Sequence, residues 1–374
     1  MPSLEEGMGI IDLPHEILLK IFKIIFYEER LLVEGQYPFS ISVYRLSAVC
    51  RQFRDIFNSN SIFWHNIDAC MTPEQVDAHL ARSKENRLLI KGGLLTDTRE
   101  GRSWGSVPES LHFQKQVIPH RHRWGNFCLH YKGCDENMLG TVTEKYQGLY
   151  LPNLTKFTMR IEDTKDGDTP DSKVHFYTTW DAPLLRVLCF WNMIPQALNN
   201  IQLESLTINI DSLDWRRSED PLATLMTCLA SQPSLERLSF NIIGFPKETG
   251  HPVSSQVTLP RLRELDVGIE DSYKLNGFSD DNDDLGTSFA VAGVLARLVT
   301  PALEDLRIGF VITKHQSPPG SEIFDIMTIF PQFTDYDNVK RLRLYVLNTP
   351  EVPWYKITTS TLYGRMRKLQ GFEW

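Results

Sequence analysis

The amino-acid sequence predicts an α/β chain in two parts. A small three-helix module spans residues 1–70. An irregular solenoid of parallel strands, with those strands on its concave side, spans residues 71–374. Three observations predict this: an apolar stripe at helical spacing near the start, a short strand-like motif that recurs through the rest of the chain, and helix-start signals in the gaps between its copies.

The first helix opens near Asp12. Pro14 sits in its first turn, where a missing N–H costs nothing because that donor has no intrahelical partner. Glu16 lies near the positive end of the helix dipole. Leu13, Ile17, Leu18, Ile21, Phe22 and Ile25 recur three and four residues apart, as one stripe of a helix does. Ile24 and Phe26 widen the stripe beyond what a small three-helix unit covers alone. A second run places Leu46, Val49, Cys50, Phe53 and Ile56 on one face, with Arg45, Arg51, Arg54 and Asp55 left to water. Between the runs, residues 27–42 (YEERLLVEGQYPFSIS) contain Gly35 and Pro38 and read as a loop insertion. A unit of about 55 residues buries little surface, so its apolar face needs a neighbour. It either packs on the rest of the chain or docks a helical partner.

The recurring motif is Pro-x-Leu-x-x-Leu/Phe-x-apolar. It starts at Pro152, Pro183, Pro233, Pro260 and Pro301, with proline-free copies from Ile201 and Asp337 and weaker ones from Arg87 and Asn126. Each copy ends in the period-two alternation of a short strand, such as Leu265-Asp266-Val267. The proline precedes the strand, where no ladder donor is lost. Helix starts fall in the gaps. Thr72, Pro73 and Gln75 form a capping box ahead of Val76 and Leu80. Asp220 and Pro221 precede Leu222, Leu225, Met226 and Leu229. Ser288 leads Phe289, Val294, Leu295 and Leu298, and Ser321 leads Ile323, Ile326, Met327 and Phe330. Helix, short link and strand at about 30-residue spacing is the pattern of a leucine-rich-repeat solenoid. No Asn recurs at a fixed offset and the spacing varies, so the predicted array is irregular.

The N-terminal segment resembles the F-box, the adaptor-binding module of SCF-type ubiquitin ligases. The resemblance rests on Leu13, Pro14, Glu16, Ile17, Leu18, Ile21, Phe22, Val49, Cys50, Arg51, Phe53, Arg54, Phe63 and Trp64, in the family's order. The longer linker is the one departure. Beyond the module, VDAHLARSKENRLLI (residues 76–90) and the entry His122-Arg123-Trp124, ahead of Phe127 and Leu129, are similar to fungal F-box proteins that carry irregular leucine-rich repeats. The resemblance implies that the module binds a Skp-type adaptor, and through it a cullin, while the repeats hold a target protein whose identity is unknown. Leu13, Pro14, Ile17, Leu18, Ile21, Phe22, Leu46, Val49, Cys50 and Phe53 are then expected at or directly behind the adaptor surface. The implied function is the substrate-recognition subunit of such a ligase. The alternative is a protein-interaction scaffold that uses the same two surfaces without assembling a ligase.

Composition narrows the classes. Hydrophobic residues make up 42% and charged residues 23%, as in soluble globular proteins. A net charge of −8 argues against a general nucleic-acid binder. No apolar run is long enough for a membrane span, and MPSLEEGMG has neither the basic region nor the apolar core of a secretory signal. Six irregularly spaced cysteines read as reduced thiols, consistent with a cytoplasmic or nuclear protein.

No enzyme is expected, and no cofactor or metal. GRSWG (101–105) matches the Gly-x-Ser-x-Gly nucleophile pattern, but its flanks TDTRE and SVPES read as loops, whereas the motif needs a strand before Ser103 and a helix after it. His120, His122, Cys128, His130 and Cys134 cluster, but in no standard zinc spacing. In the expected strand 126–131, Phe127, Leu129 and Tyr131 share one face and Cys128 and His130 the other. The acidic run SDDNDDLG from Ser279 fails as a calcium loop, because Leu285 and Val291 occupy the glycine and bidentate-glutamate places. It reads as a solvated rim insertion that could attract a basic partner. Asn153-Leu-Thr155 lies inside a strand copy and is disregarded as a glycosylation acceptor. Trp180, Trp191 and Trp215 flank strand copies as core or interface aromatics.

Overall fold

The computed structural model describes residues 10–32, 40–95, 106–162, 175–198, 201–210, 221–243, 256–271, 294–295, 297–312, 338–348 and 371–373. The protein is mixed α/β, with parallel strand pairing and an N-terminal helical region. It forms two compact units: residues 1–130 with 150–154, and residues 131–149 with 155–374.

The first unit opens with a 3-10 turn, Ile10–Asp12, then α1 (His15–Leu32), α2 (Ser40–Ser47) and α3 (Arg51–Ser59). The Pro14 carbonyl accepts the N–H groups of Ile17 and Leu18 at 3.0 and 3.1 Å, so proline stands one place before the first helical residue. Two expectations are corrected. Residues 27–42 are not a loop throughout. Glu28, Glu29, Arg30, Leu31 and Leu32 are strong helix formers and carry α1 on to Leu32, while α2 begins at Ser40. The second run is also not one helix. It breaks between Ser47 and Arg51, with Cys50 extended (φ −154°) as the residue before α3. Val49 therefore leaves the face it would share with Phe53 and Ile56.

A 3-10 turn, Ser61–Trp64, leads into β1 (Asn66–Asp68), α4 (Pro73–Arg82), β2 (Leu88–Leu95), α5 (Val107–Val117) and β3 (Trp124–Lys132). The Thr72 capping box opens α4 as expected: the Gln75 side chain accepts from the Thr72 N–H at 3.0 Å. Helix α5 corrects the loop reading of SVPES. The Glu109 carboxylate accepts from the Ser106 backbone N–H at 2.5 Å, a second capping box. Ser103 lies outside the described residues.

The second unit carries α6 (Glu136–Thr143), β4 (Lys156–Glu162), β5 (Val187–Trp191), β6 (Ser205–Ile210), α7 (Pro221–Ala230), β7 (Arg237–Ile243), β8 (Val257–Thr258), β9 (Glu264–Asp271), β10 (Leu298–Val299), β11 (Asp305–Ile312), β12 (Arg341–Asn348) and β13 (Gly371–Glu373). Strands β4, β5, β6, β7, β9, β11, β12 and β13 pair in that order, every neighbour parallel. Each copy of the motif from Pro152 onward places its strand at the fifth residue of the copy, so equivalent residues meet in register. Phe157, Leu188, Leu206, Leu238, Leu265, Leu306 and Leu342 form one buried ladder across neighbouring strands. Met159, Phe190, Ile208, Phe240, Val267 and Ile308 form the next.

The prolines have a further role. In each proline-containing copy the leucine two residues on donates its N–H to the residue before the proline, as Leu185 does to Ala182 at 3.1 Å and Leu303 to Thr300 at 3.1 Å. Proline thus holds the second position of a tight turn, where its fixed φ is already suited. One helix expectation fails: Leu298 is not helical but pairs with Val257 in the two-stranded β10–β8 sheet, where its backbone satisfies a strand ladder. Most of the helix expected from Ser288, all of that expected from Ser321, the acidic run from Ser279 and Trp215 lie outside the described residues.

The register makes a ranking that can be checked. Leu206→Ala should destabilise the protein by roughly 2–5 kcal/mol in chemical denaturation, whereas Thr207→Ala, on the opposite face of β6, should cost less than about 1 kcal/mol. A one-residue error in the register of β6 would reverse that order.

Candidate functional site

Helix α1 has more apolar surface than its own unit covers. One stripe, Leu18, Phe22 and Phe26, is buried against Phe53, Ile56, Phe57, Phe63 and Trp64. The Phe22 ring meets Phe53 edge-on at 4.7 Å, Phe57 meets Phe63 at 4.7 Å, and Trp64 donates its ring N–H to the Phe57 carbonyl at 2.7 Å. These contacts fix the rotation of α1 about its axis.

A second stripe follows at i, i+4 and i+7, on the flank that the core does not use. Ile17 is 45% exposed and Ile24 49%, with half-buried Ile21 between them. Ile10 and Ile11 add exposed side chains from the 3-10 turn before α1. That turn is tied to α3 by the Gln52 side-chain amide, which donates to the Leu13 carbonyl at 3.4 Å. Between α2 and α3, Val49 is 62% exposed. Several exposed large aliphatics on one short module are unusual for a surface with no partner.

Burial divides the ten residues singled out from the sequence. Leu18, Phe22 and Phe53 are in the module's core, behind any surface. Ile17, Val49 and Pro14 are exposed, and Leu13, Ile21, Leu46 and Cys50 are half-buried. Sequence reasoning left Ile10, Ile11 and Ile24 out of the set. For Ile24 the signal was present, since it continues the Ile17–Ile21 spacing by three residues. Polar anchoring here is weak: Arg51 and Asp55 approach to 3.9 Å with both side chains largely in water, a pair that contributes little.

Behind the module, His79 of α4 is fully buried, with its ring 5.0 Å from Trp64 and 5.7 Å from Tyr44. Burial pushes its imidazole down to about 4. The Arg82 guanidinium lies 4.3 Å over the Trp64 ring, a cation–π contact that closes the other side of the tryptophan.

The remaining candidates are dispersed. In β3, Phe127, Leu129 and Tyr131 are buried and Cys128 and His130 half-buried, in the expected alternation. Among the described residues no group of three or more His, Cys, Asp or Glu gathers as a metal site. All six cysteines are free thiols. No helix among the described residues is long and apolar enough to cross a membrane. Trp180 is buried and donates to the Tyr146 carbonyl at 2.6 Å, whereas Trp191 is half-buried. In the second unit the polar side of the sheet gathers three guanidiniums, Arg307, Arg341 and Arg343, at 3.5, 3.2 and 3.6 Å from the buried Asp305 carboxylate. Removing one partner of a buried ion cluster is costly, because it leaves a charge uncompensated.

Residues 10–70 match the F-box-like family model. No curated protein matches the chain. The matched span covers the 3-10 turn, α1 to α3 and β1, and so contains both the aromatic core and the uncovered stripe.

The buried histidine gives a pH prediction. An unfolded imidazole titrates near 6.5 and the folded one near 4, so the unfolded chain binds the extra proton. The contribution of His79 is therefore complete above about pH 6.5 and is lost as pH falls towards 4, by roughly 3 kcal/mol. His175, buried in the second unit and also held at about 4, acts in the same direction. Urea unfolding at pH 7 and pH 4.5 should show the loss, and His79→Phe should reduce it for the first unit. An unchanged pH dependence in that variant would contradict the assignment.

Proposed function

We propose that this chain is the substrate-recognition subunit of an SCF-type ubiquitin ligase. The observation that carries this reading is the uncovered apolar stripe of α1, Ile17, Ile21 and Ile24, together with Val49, inside the residues that match the F-box-like model. A helix presenting such a stripe is suited to dock another helical surface, its anchors spaced at i, i+4 and i+7. The expected partner is a Skp-type adaptor, which joins the chain to a cullin. Leu18, Phe22 and Phe53 hold the docking surface from behind; Ile17, Ile21, Ile24, Val49 and the half-buried Leu13, Leu46 and Cys50 meet the partner.

In this reading the parallel strands and their repeated Pro-x-Leu turns form an irregular leucine-rich-repeat solenoid of the kind seen in fungal F-box proteins. Its polar sheet face and rims hold the target. The functional division then falls near residue 70, with 1–70 for the adaptor and 71–374 for the target. The chain performs no covalent chemistry. It raises the effective concentration of target lysines at the transfer site by tethering, in the cytoplasm or nucleus.

Co-expression with the Skp-type adaptor tests the reading. The wild-type chain should co-elute with the adaptor in size exclusion, and Ile17→Asp/Ile24→Asp should abolish co-elution while leaving circular dichroism and the unfolding midpoint nearly unchanged. Co-elution that survives both substitutions would remove the stripe as the docking surface. A complex that forms with the adaptor but neither recruits a cullin nor supports ubiquitin transfer would favour the scaffold alternative.

A further inference from the structure

On the other flank of α1 an open polar cleft of about 430 Å3 lies between Lys23, the turn after α3 and the entry to β2. Its lining holds two permanent cations, Lys23 and Arg87, and no carboxylate. Of the acids on the adjoining elements, Asp55 lies 3.9 Å from Arg51 on α3, and Glu85 acts electrostatically on Arg123. Among the described residues no carboxylate pairs with Lys23 or Arg87. In a chain of net charge −8, two cations facing one cleft without a carboxylate make a local reversal of sign.

The cleft wall is built to present donors. Asn86 donates from Nδ2 to Ser61 Oγ at 2.9 Å, which turns the Ser61 hydroxyl hydrogen away from Asn86 and leaves the second N–H of the amide. The turn carrying Asn86 is fixed from below. Its N–H donates to the Ser83 carbonyl at 3.0 Å, and the buried Arg123 donates to the Asn86 carbonyl at 3.3 Å and to Ser83 Oγ at 2.6 Å. Lys84 in that turn has φ +51°, a left-handed conformation that a non-glycine residue keeps only where its surroundings enforce it. Gly125 of β3 lies under the Arg87 stem: a Cβ there would come within 3.2 Å of Arg87 Cβ and 3.5 Å of Arg87 Cδ. The glycine thus lets the arginine stem lie flat along β3.

We propose that this cleft binds a phosphomonoester dianion, with Lys23 and Arg87 supplying charge and Ser61 and Asn86 supplying neutral donors. An arginine fork and a lysine match the charge of a dianion, and the hydroxyl and amide N–H groups add donors for the remaining oxygens of a tetrahedral oxyanion. The volume exceeds that of one phosphate, which leaves room for the carrier of an esterified group. At 3.6 residues per turn, Lys23 lies roughly 100–160° round α1 from Ile17, Ile21 and Ile24. The anion site and the apolar stripe therefore do not overlap, and the proposal does not rest on adaptor binding.

31P line broadening tests it with the full chain at fixed ionic strength and O-phospho-L-serine as probe. Broadening should saturate with wild-type protein, and Lys23→Gln/Arg87→Gln should weaken binding at least tenfold while circular dichroism stays unchanged. Inorganic phosphate, titrated in parallel, separates sources: equal affinity assigns the site to free phosphate, and tighter phosphoserine binding assigns it to an esterified carrier. Absence of broadening, equal broadening in the double variant, or equally effective displacement of the probe by L-aspartate would each overturn the proposal.

Discussion

The packing of α1 against the aromatic side chains of α3 and the following turn decides the rest of the N-terminal unit. Phe22 sits between Phe53 and Phe57, and Phe26 against Phe63 at 5.6 Å. The Phe22–Phe53 and Phe26–Phe63 contacts are edge-to-face and hold a narrow range of orientations. Once they set the rotation of α1, Ile17, Ile21 and Ile24 have no place in the core and Lys23 must face the opposite flank. The apolar stripe and the cationic cleft are both consequences of that one packing arrangement. The same core presents Trp64 to Arg82 and His79, which links the helices to α4.

In the second unit the governing constraint is register. Parallel neighbours with equal offsets place like residues side by side, so a single short motif, repeated, generates continuous buried ladders of leucine and other large apolar side chains. The polar residues between them then share the opposite face without further specification. The tight turn at each proline fixes where the strand begins, and it shifts by no residue between the copy at Pro152 and that at Pro301. Insertions between copies vary in length at little cost, because the entropy of closing a loop grows only slowly with its length.

Much of this was legible from the sequence, and the failures have local causes. The strands were legible because period two and the proline turn both mark their starts. The extension of α1 to Leu32 was not, because YEERLL looks polar, although each of Glu28, Glu29, Arg30 and Leu31 favours helix. Val49 was misplaced because helical spacing was carried through a break at Ala48–Cys50, and Leu298 because an apolar position at helical spacing also fits a strand. The Ser106–Glu109 box is present in the sequence, but the polar residues around it also fit a loop. The exposed apolar stripe was half legible. Apolar residues occupy more than half the circumference of α1, and spacing alone does not say which of them the core takes. The cleft was not legible at all, since its wall joins residues 23, 59–62 and 86–87, which no local pattern connects.

The proposed adaptor contact uses one flank of α1 and not the other. Site-specific photocross-linking tests it most directly, with p-benzoylphenylalanine placed at Ile17 in one variant and at Lys23 in another, each mixed with the Skp-type adaptor. Cross-linking to the adaptor is expected from position 17 and little from position 23. Equal cross-linking from both positions, or cross-linking from position 23 alone, would contradict it.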